Sequence, residues 1–176
     1  MRSFLVDVPF YDHERAISVP RLGPYKVKAY QLVTWISLTA RGTEKLPAKA
    51  PRLLALLDTG SNHNFSVREE HLQIAGVQWR DAGPSARPLR VRDASSREWD
   101  VPRVHLDVWL HSNLPELARQ PFPLRVGAVG GACYLTGGPV AGPPIPIIGI
   151  RALCTTSVDI EIRCEPTGGI LNLRVP

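Results

Sequence analysis

The chain has 176 residues, 44% of them hydrophobic, with 21 Lys and Arg against 16 Asp and Glu for a net charge of +5, a balance that fits one globular domain and excludes disordered and fibrous classes. No apolar run reaches the roughly 18 residues of a membrane span, and Met1-Arg2-Ser3-Phe4-Leu5-Val6-Asp7 meets a charge before an apolar export segment forms, so a cytoplasmic protein with no membrane partner is expected. The basic residues are scattered, without a dense run or interleaved aromatics, so a solvated surface and no nucleic-acid partner are expected.

Residues 1–24 precede the first clear strand and read as an N-terminal extension, with the domain proper at 25–176. Three roles are open to this extension: packing on the domain, joining an interface, or acting as a removable pro-segment. Residues 27–38, β-branched and aromatic with rough alternation, predict one long strand. A polar, proline-bounded connection leads to the apolar run Leu53-Leu54-Ala55-Leu56-Leu57, a buried strand that ends on Asp58-Thr59-Gly60-Ser61. Ser66-Val67-Arg68-Glu69 has the form of a capping box and Gly76 that of a C-terminal stop, which predicts a helix over 67–75.

Alternation returns over 87–110, with Asp93-Ala94-Ser95-Ser96 as a polar turn, predicting a β-hairpin whose long second arm bends at Pro102. The stretch 111–146 reads as loops with one edge strand at 122–126. A short helix at 150–154, a strand at 158–162, a turn at 166–169 and a strand at 170–175 follow. The fold class is all-β with one or two short helices.

Asp58 carries the chemistry. A carboxylate that closes five apolar residues sits where a buried strand meets a turn, a costly place for a charge, and one where such a group is kept when it works. Thr59 can fix the turn through its hydroxyl, Gly60 lets backbone approach closely, and Ser61 can hydrogen-bond the carboxylate. His63 reads as a surface-loop residue, although its place five residues after Asp58 could let it line a cleft. His105 and His111 have no third ligand in view, so no metal and no cofactor are expected. Cys133, Cys154 and Cys164 form no C-x-x-C pair and cannot all pair within one chain, so buried free thiols are expected.

The pattern resembles the retropepsin-like aspartic proteases, the single-motif branch, and is closer to its cellular and bacterial members than to the viral enzymes. Leu56-Leu57-Asp58-Thr59-Gly60-Ser61 is similar to the family's apolar strand and Asp-Thr-Gly loop, and Ile147-Ile148-Gly149 to its second, glycine-ended motif, with Gly149 supporting the active loop. The resemblance implies an acid-protease β-barrel with a flap hairpin at 87–110. It also implies a homodimeric endopeptidase acting on polypeptides, with one Asp58 from each chain activating a water. Asp58, Thr59 and Gly60 would be catalytic. Ser61, Asn62, Val91, Asp93, Ala94, Ser95, Trp99, Ile147 and Ile148 would bind substrate, with Arg90, Arg92 and Arg97 around the flap. Several features depart from the viral pattern: Ile150 follows Gly149, no acidic residue follows in Asn62-His63-Asn64, the hairpin turn lacks glycine, and the two motifs are widely spaced. The alternative is a catalytically silent peptide-binding or dimerisation module on the same fold.

Overall fold

A computed structural model of the chain describes residues 1–61, 63–92 and 95–176. Fourteen strands and two short helices follow in order. They are β1 (Arg2–Tyr11), β2 (Arg15–Val19), β3 (Gly23–Val27), β4 (Leu32–Ala40), β5 (Leu53–Asp58), β6 (Phe65–Arg68), α1 (Glu69–Ala75), β7 (Ser85–Arg92), β8 (Glu98–Val104), β9 (Leu106–Leu110), β10 (Phe122–Leu124), β11 (Gly131–Tyr134), β12 (Ile147–Gly149), α2 (Ile150–Thr155), β13 (Asp159–Glu165) and β14 (Gly168–Val175). Among the described residues strands hold 49% and helices, with two three-residue 3-10 turns at Pro115–Leu117 and Val126–Ala128 counted, 11%, which makes the fold all-β.

The largest sheet has nine strands in the order β10-β9-β4-β5-β12-β6-β11-β8-β7. The resemblance implies a barrel; among the described residues β10 and β7 stand as the two ends of this sheet, and no closed barrel is seen. The three-stranded sheet β1-β14-β13 packs against it, and Phe4, Leu5, Leu171, Leu173 and Val175 share one core with Ile36, Leu38, Leu53 and Val108. The β2-β3 hairpin covers the opposite face, where Val19 and Val27 meet Val33 and Leu54 in a second cluster. Strand β5 is therefore apolar on both faces: Leu53, Ala55 and Leu57 enter the first core, and Leu54 and Leu56 the second. A strand with one wet face would alternate instead.

Several elements differ from the sequence expectation, each for a local reason. Residues 1–24 carry β1, which pairs along β14, and Phe4 is fully buried. The strand expected over 27–38 is broken at residues 28–31, where Tyr30 takes a positive φ of 60° and Lys28 N–H donates to the Gln31 side chain at 2.9 Å. Ser66 lies within β6 and does not cap α1. The helix starts two residues later than expected, behind Arg68, whose N–H donates to His71 Nδ1 at 3.0 Å, while Gly76 does end it in the left-handed region at φ 73°.

The arm expected to bend at Pro102 divides at His105 into β8, which pairs with β7 and β11, and β9, which pairs with β4 and β10. His105 N–H donates to the Ala82 carbonyl at 2.7 Å and fixes that corner. Strand β11, read as loop, lies inside the sheet between β6 and β8. Its Gly131 is required by packing, because a Cβ there would overlap the Phe65 ring. Of the thiols only Cys133 is buried, where burial pushes it up to about 12, while Cys154 and Cys164 are exposed. No helix among the described residues is long and apolar enough to cross a membrane.

Candidate active site

Asp58 is the last residue of β5, and its neighbour across the sheet is Gly149, the last residue of β12, in parallel register. Strand β12 also pairs antiparallel with β6. The chain thus leaves β5 at Asp58 and returns as β6 at Phe65, and a strand from far downstream fills the gap between them. The turn is held from within. Gly60 N–H donates to Asp58 Oδ1 at 2.8 Å, Ser61 N–H reaches the Asp58 carbonyl at 3.4 Å, and His63 N–H reaches Ser61 Oγ at 3.4 Å. The first of these donors fixes the carboxylate's rotation and leaves its second oxygen for other partners.

Gly149 is fitted to the loop by the lack of a side chain. Its N–H donates to the Asn64 carbonyl at 3.0 Å, and a Cβ on it would collide with the His63 carbonyl oxygen. Asn64 is buried and donates through Nδ2 to the Gly130 carbonyl at 3.2 Å, tying the loop to the start of β11. Sequence reading did not single out this residue, whose polarity and loop setting give no sign of burial.

Asp58 and Thr59 open onto a cavity of 620 Å³ whose other walls include Phe10, Tyr30, Leu56, Ile162 and Cys164. Beneath them lies a smaller apolar cavity bounded by Leu32, Ile148, Ile150, Leu153 and Ile160. Among the described residues, Asp58 is the sole carboxylate bordering either space. Tyr30 and Ile162 are 56% and 40% exposed, unusual values for large apolar groups beside a carboxylate. The strand break at Tyr30 was the missed signal, since it turns that ring outward.

Asp58, Thr59, Gly60, Ser61 and Gly149 are brought together, and Ile148 lies directly behind them at 1% exposure in the first core. Val91 and Trp99 face each other across the β7-β8 hairpin and pack with Val101, Ala132 and Tyr134 in a separate cluster. Neither they nor Ile147 border the Asp58 cavities. Ser95 is exposed near the hairpin turn, and Asn62, Asp93 and Ala94 lie outside the described residues. Arg92 pairs with Glu98 at 3.0 Å, Arg90 lies between Glu98 and Asp100 at 3.5 and 3.7 Å, and Arg97 stacks over the Trp99 ring. Arg90 and Arg92 are thus paired with carboxylates of the hairpin itself.

No family model matches the sequence, and comparison with curated proteins and with solved structures returns no match. The chemistry of the site is therefore argued from its own groups. His63 is half-buried, and burial, followed by the nearby Arg151 and Arg103, holds its imidazole below the usual histidine range. Among the described residues no three His, Cys, Asp or Glu side chains gather as metal ligands would. The arrangement offers one oriented carboxylate at the mouth of an apolar cavity, carried on a backbone loop buttressed from behind.

Proposed function

We propose that the protein is a retropepsin-like aspartic endopeptidase that works as a homodimer, each chain supplying one Asp58. The observation that carries the reading is the Asp58 loop itself. An Asp-Thr-Gly turn ends a doubly buried strand, its carboxylate is oriented by Gly60 N–H, and Gly149 passes behind it on a strand inserted between β5 and β6. A single carboxylate beside an apolar cavity supports the need for a second chain.

Two carboxylates held about 3 Å apart cannot both ionise readily, so they share one proton. The ionised partner takes a proton from a bound water as the water oxygen attacks the scissile carbonyl carbon. The protonated partner donates to the carbonyl oxygen, giving a neutral tetrahedral diol. Collapse of the diol breaks the C–N bond as a proton passes to the departing amine. The pair titrates as a unit, so activity follows two apparent pKa values that belong to both residues. The β7-β8 hairpin is the proposed cover for an extended peptide, which would gain affinity from main-chain hydrogen bonds.

The test is cleavage of a mixed protein substrate between about pH 4 and 8 by the wild type and by Asp58→Ala, with and without a pepstatin-type transition-state mimic. Cleavage by the wild type alone, blocked by the mimic, is expected. Cleavage that persists in Asp58→Ala, or its absence from a folded wild-type dimer across that range, overturns the protease reading, and the second result favours the silent binding module.

A further inference from the structure

We infer that a second copy of this chain docks along the free edge of β13, in an antiparallel register centred on Ile162. The inference rests on the two-chain reading of Asp58 and states which surface joins the chains. Strand β14 is bonded on one side to β1 and on the other to β13, so it cannot take a partner's strand without losing one of its own. Strand β13 has one neighbour. It pairs with β14 from Asp159 to Glu165 without a bulge, and its residues are largely exposed. Edges are ordinarily blunted by proline, bulges, very short strands or charged side chains, lysine above all. The segment Asp159-Ile160-Glu161-Ile162-Arg163-Cys164-Glu165 has no proline, lysine or bulge, and its charges are of both signs, so its outward N–H and C=O groups form a template for a strand of matching charge.

The sequence of the edge selects the register. Directly opposed residues in an antiparallel pair share a face, so a two-fold axis perpendicular to the sheet must pass through a residue. An axis at Glu161 sets it against the partner's Glu161, and an axis at Arg163 sets it against the partner's Arg163. An axis at Ile162 instead places Ile162 against the partner's Ile162, Ile160 against the partner's Cys164, and Glu161 against the partner's Arg163 twice over. The two outermost pairs, each Asp159 with the partner's Glu165, are like-charged at the solvent-exposed ends. Opposed charges and β-branched pairs are what stabilise neighbouring strands. Glu161 already accepts from Arg163 Nε at 2.8 Å within its own strand, so both side chains lie on the outer face, while Ile162 and Cys164 face the Asp58 cavity. The axis thus runs along a wall of the cavity onto which Asp58 opens, and the second copy would cover the exposed Ile162.

The test compares the molar masses, by sedimentation equilibrium, of the wild type, Glu161→Arg, Arg163→Glu and the double swap, each checked for folding by circular dichroism. Each single change opposes like charges at two symmetric positions and should weaken the dimer about tenfold or more, and the double swap should restore it. In a Cys154→Ser, Cys164→Ser background, Ile162→Cys should form a disulfide-linked dimer with diamide, because the residue faces its own copy at a bridgeable distance. A folded monomer at about 100 μM wild type, or a dimer unmoved by the single swaps and not linked at position 162, overturns the surface. If Asp58-dependent cleavage survives such a result, the protease reading stands on another interface. If the swaps and the linkage behave as expected but no cleavage depends on Asp58, the surface stands and the protease reading falls.

Discussion

At the scale of single residues, Gly149 lies directly across the sheet from Asp58 and passes behind its loop with no room for a side chain. Gly149→Ala tests that fit. Its methyl group would meet the His63 carbonyl, a backbone atom that cannot swing away, so a stability loss of about 2–4 kcal/mol is expected in urea denaturation, together with displacement of the loop. Gly137→Ala makes a useful contrast: nothing lies within contact of a Cβ there, and only its φ of 73° penalises the change, by about 1 kcal/mol. Equal losses at the two positions would remove the argument for close passage behind the loop. Asn64, Tyr30 and Ile162 were illegible at this scale, since their roles depend on neighbours brought from other parts of the chain.

At the scale of elements, strands with two apolar faces or regular alternation were readable, and the errors fell where a tertiary partner divides a continuous pattern. The 98–110 arm alternates throughout, yet His105 splits it because β8 and β9 serve different neighbours. Short β11 carries no period of its own and exists through pairing on both sides. The serine-based cap available in the sequence sets the start of helix α1 two residues early, whereas the fold spends Ser66 on β6 and uses His71 at the helix start.

That substitution has a pH consequence. Burial pushes His71 down to about 4, against a raising contribution from the Pro144 carbonyl and a further lowering by Arg68, and burial with Arg52 does the same for His111, also to about 4. Between about pH 6.5 and 4 the unfolded chain binds protons at these rings and the folded chain does not. Their contribution is therefore fully present above about pH 6.5 and is lost progressively as the pH falls towards 4, by up to about 3 kcal/mol for each ring. Urea midpoints measured at pH 7 and 4.5 should show a clear fall, and equal midpoints would contradict neutral burial. A protease built on this scaffold would have its acid limit set by unfolding as well as by the dyad.

At the scale of the whole molecule, the all-β class was legible from composition and period, while the open nine-stranded sheet and the participation of residues 2–11 were not. Both depend on pairings between distant segments, which composition does not encode. The proposed sharing of one active site between chains makes subunit exchange a sensitive probe. Mixing equal amounts of wild type and Asp58→Ala and allowing exchange should leave about a quarter of the dimers with two carboxylates, lowering activity to about half that of the unmixed wild type. Activity unchanged by exchange would mean that one chain suffices.

The pairing of Arg2 with Val175 and of Tyr11 with Gly168 also orders events in time. During synthesis β1 emerges long before its strand partner β14, so Phe4 and Leu5 stay without most of their core neighbours until β14 has followed. The Asp58 loop likewise waits for β12. Contacts of such long sequence separation fold slowly, and they place the assembly of the candidate catalytic loop late, so a nascent chain carries Asp58 long before it carries the backbone that orients it.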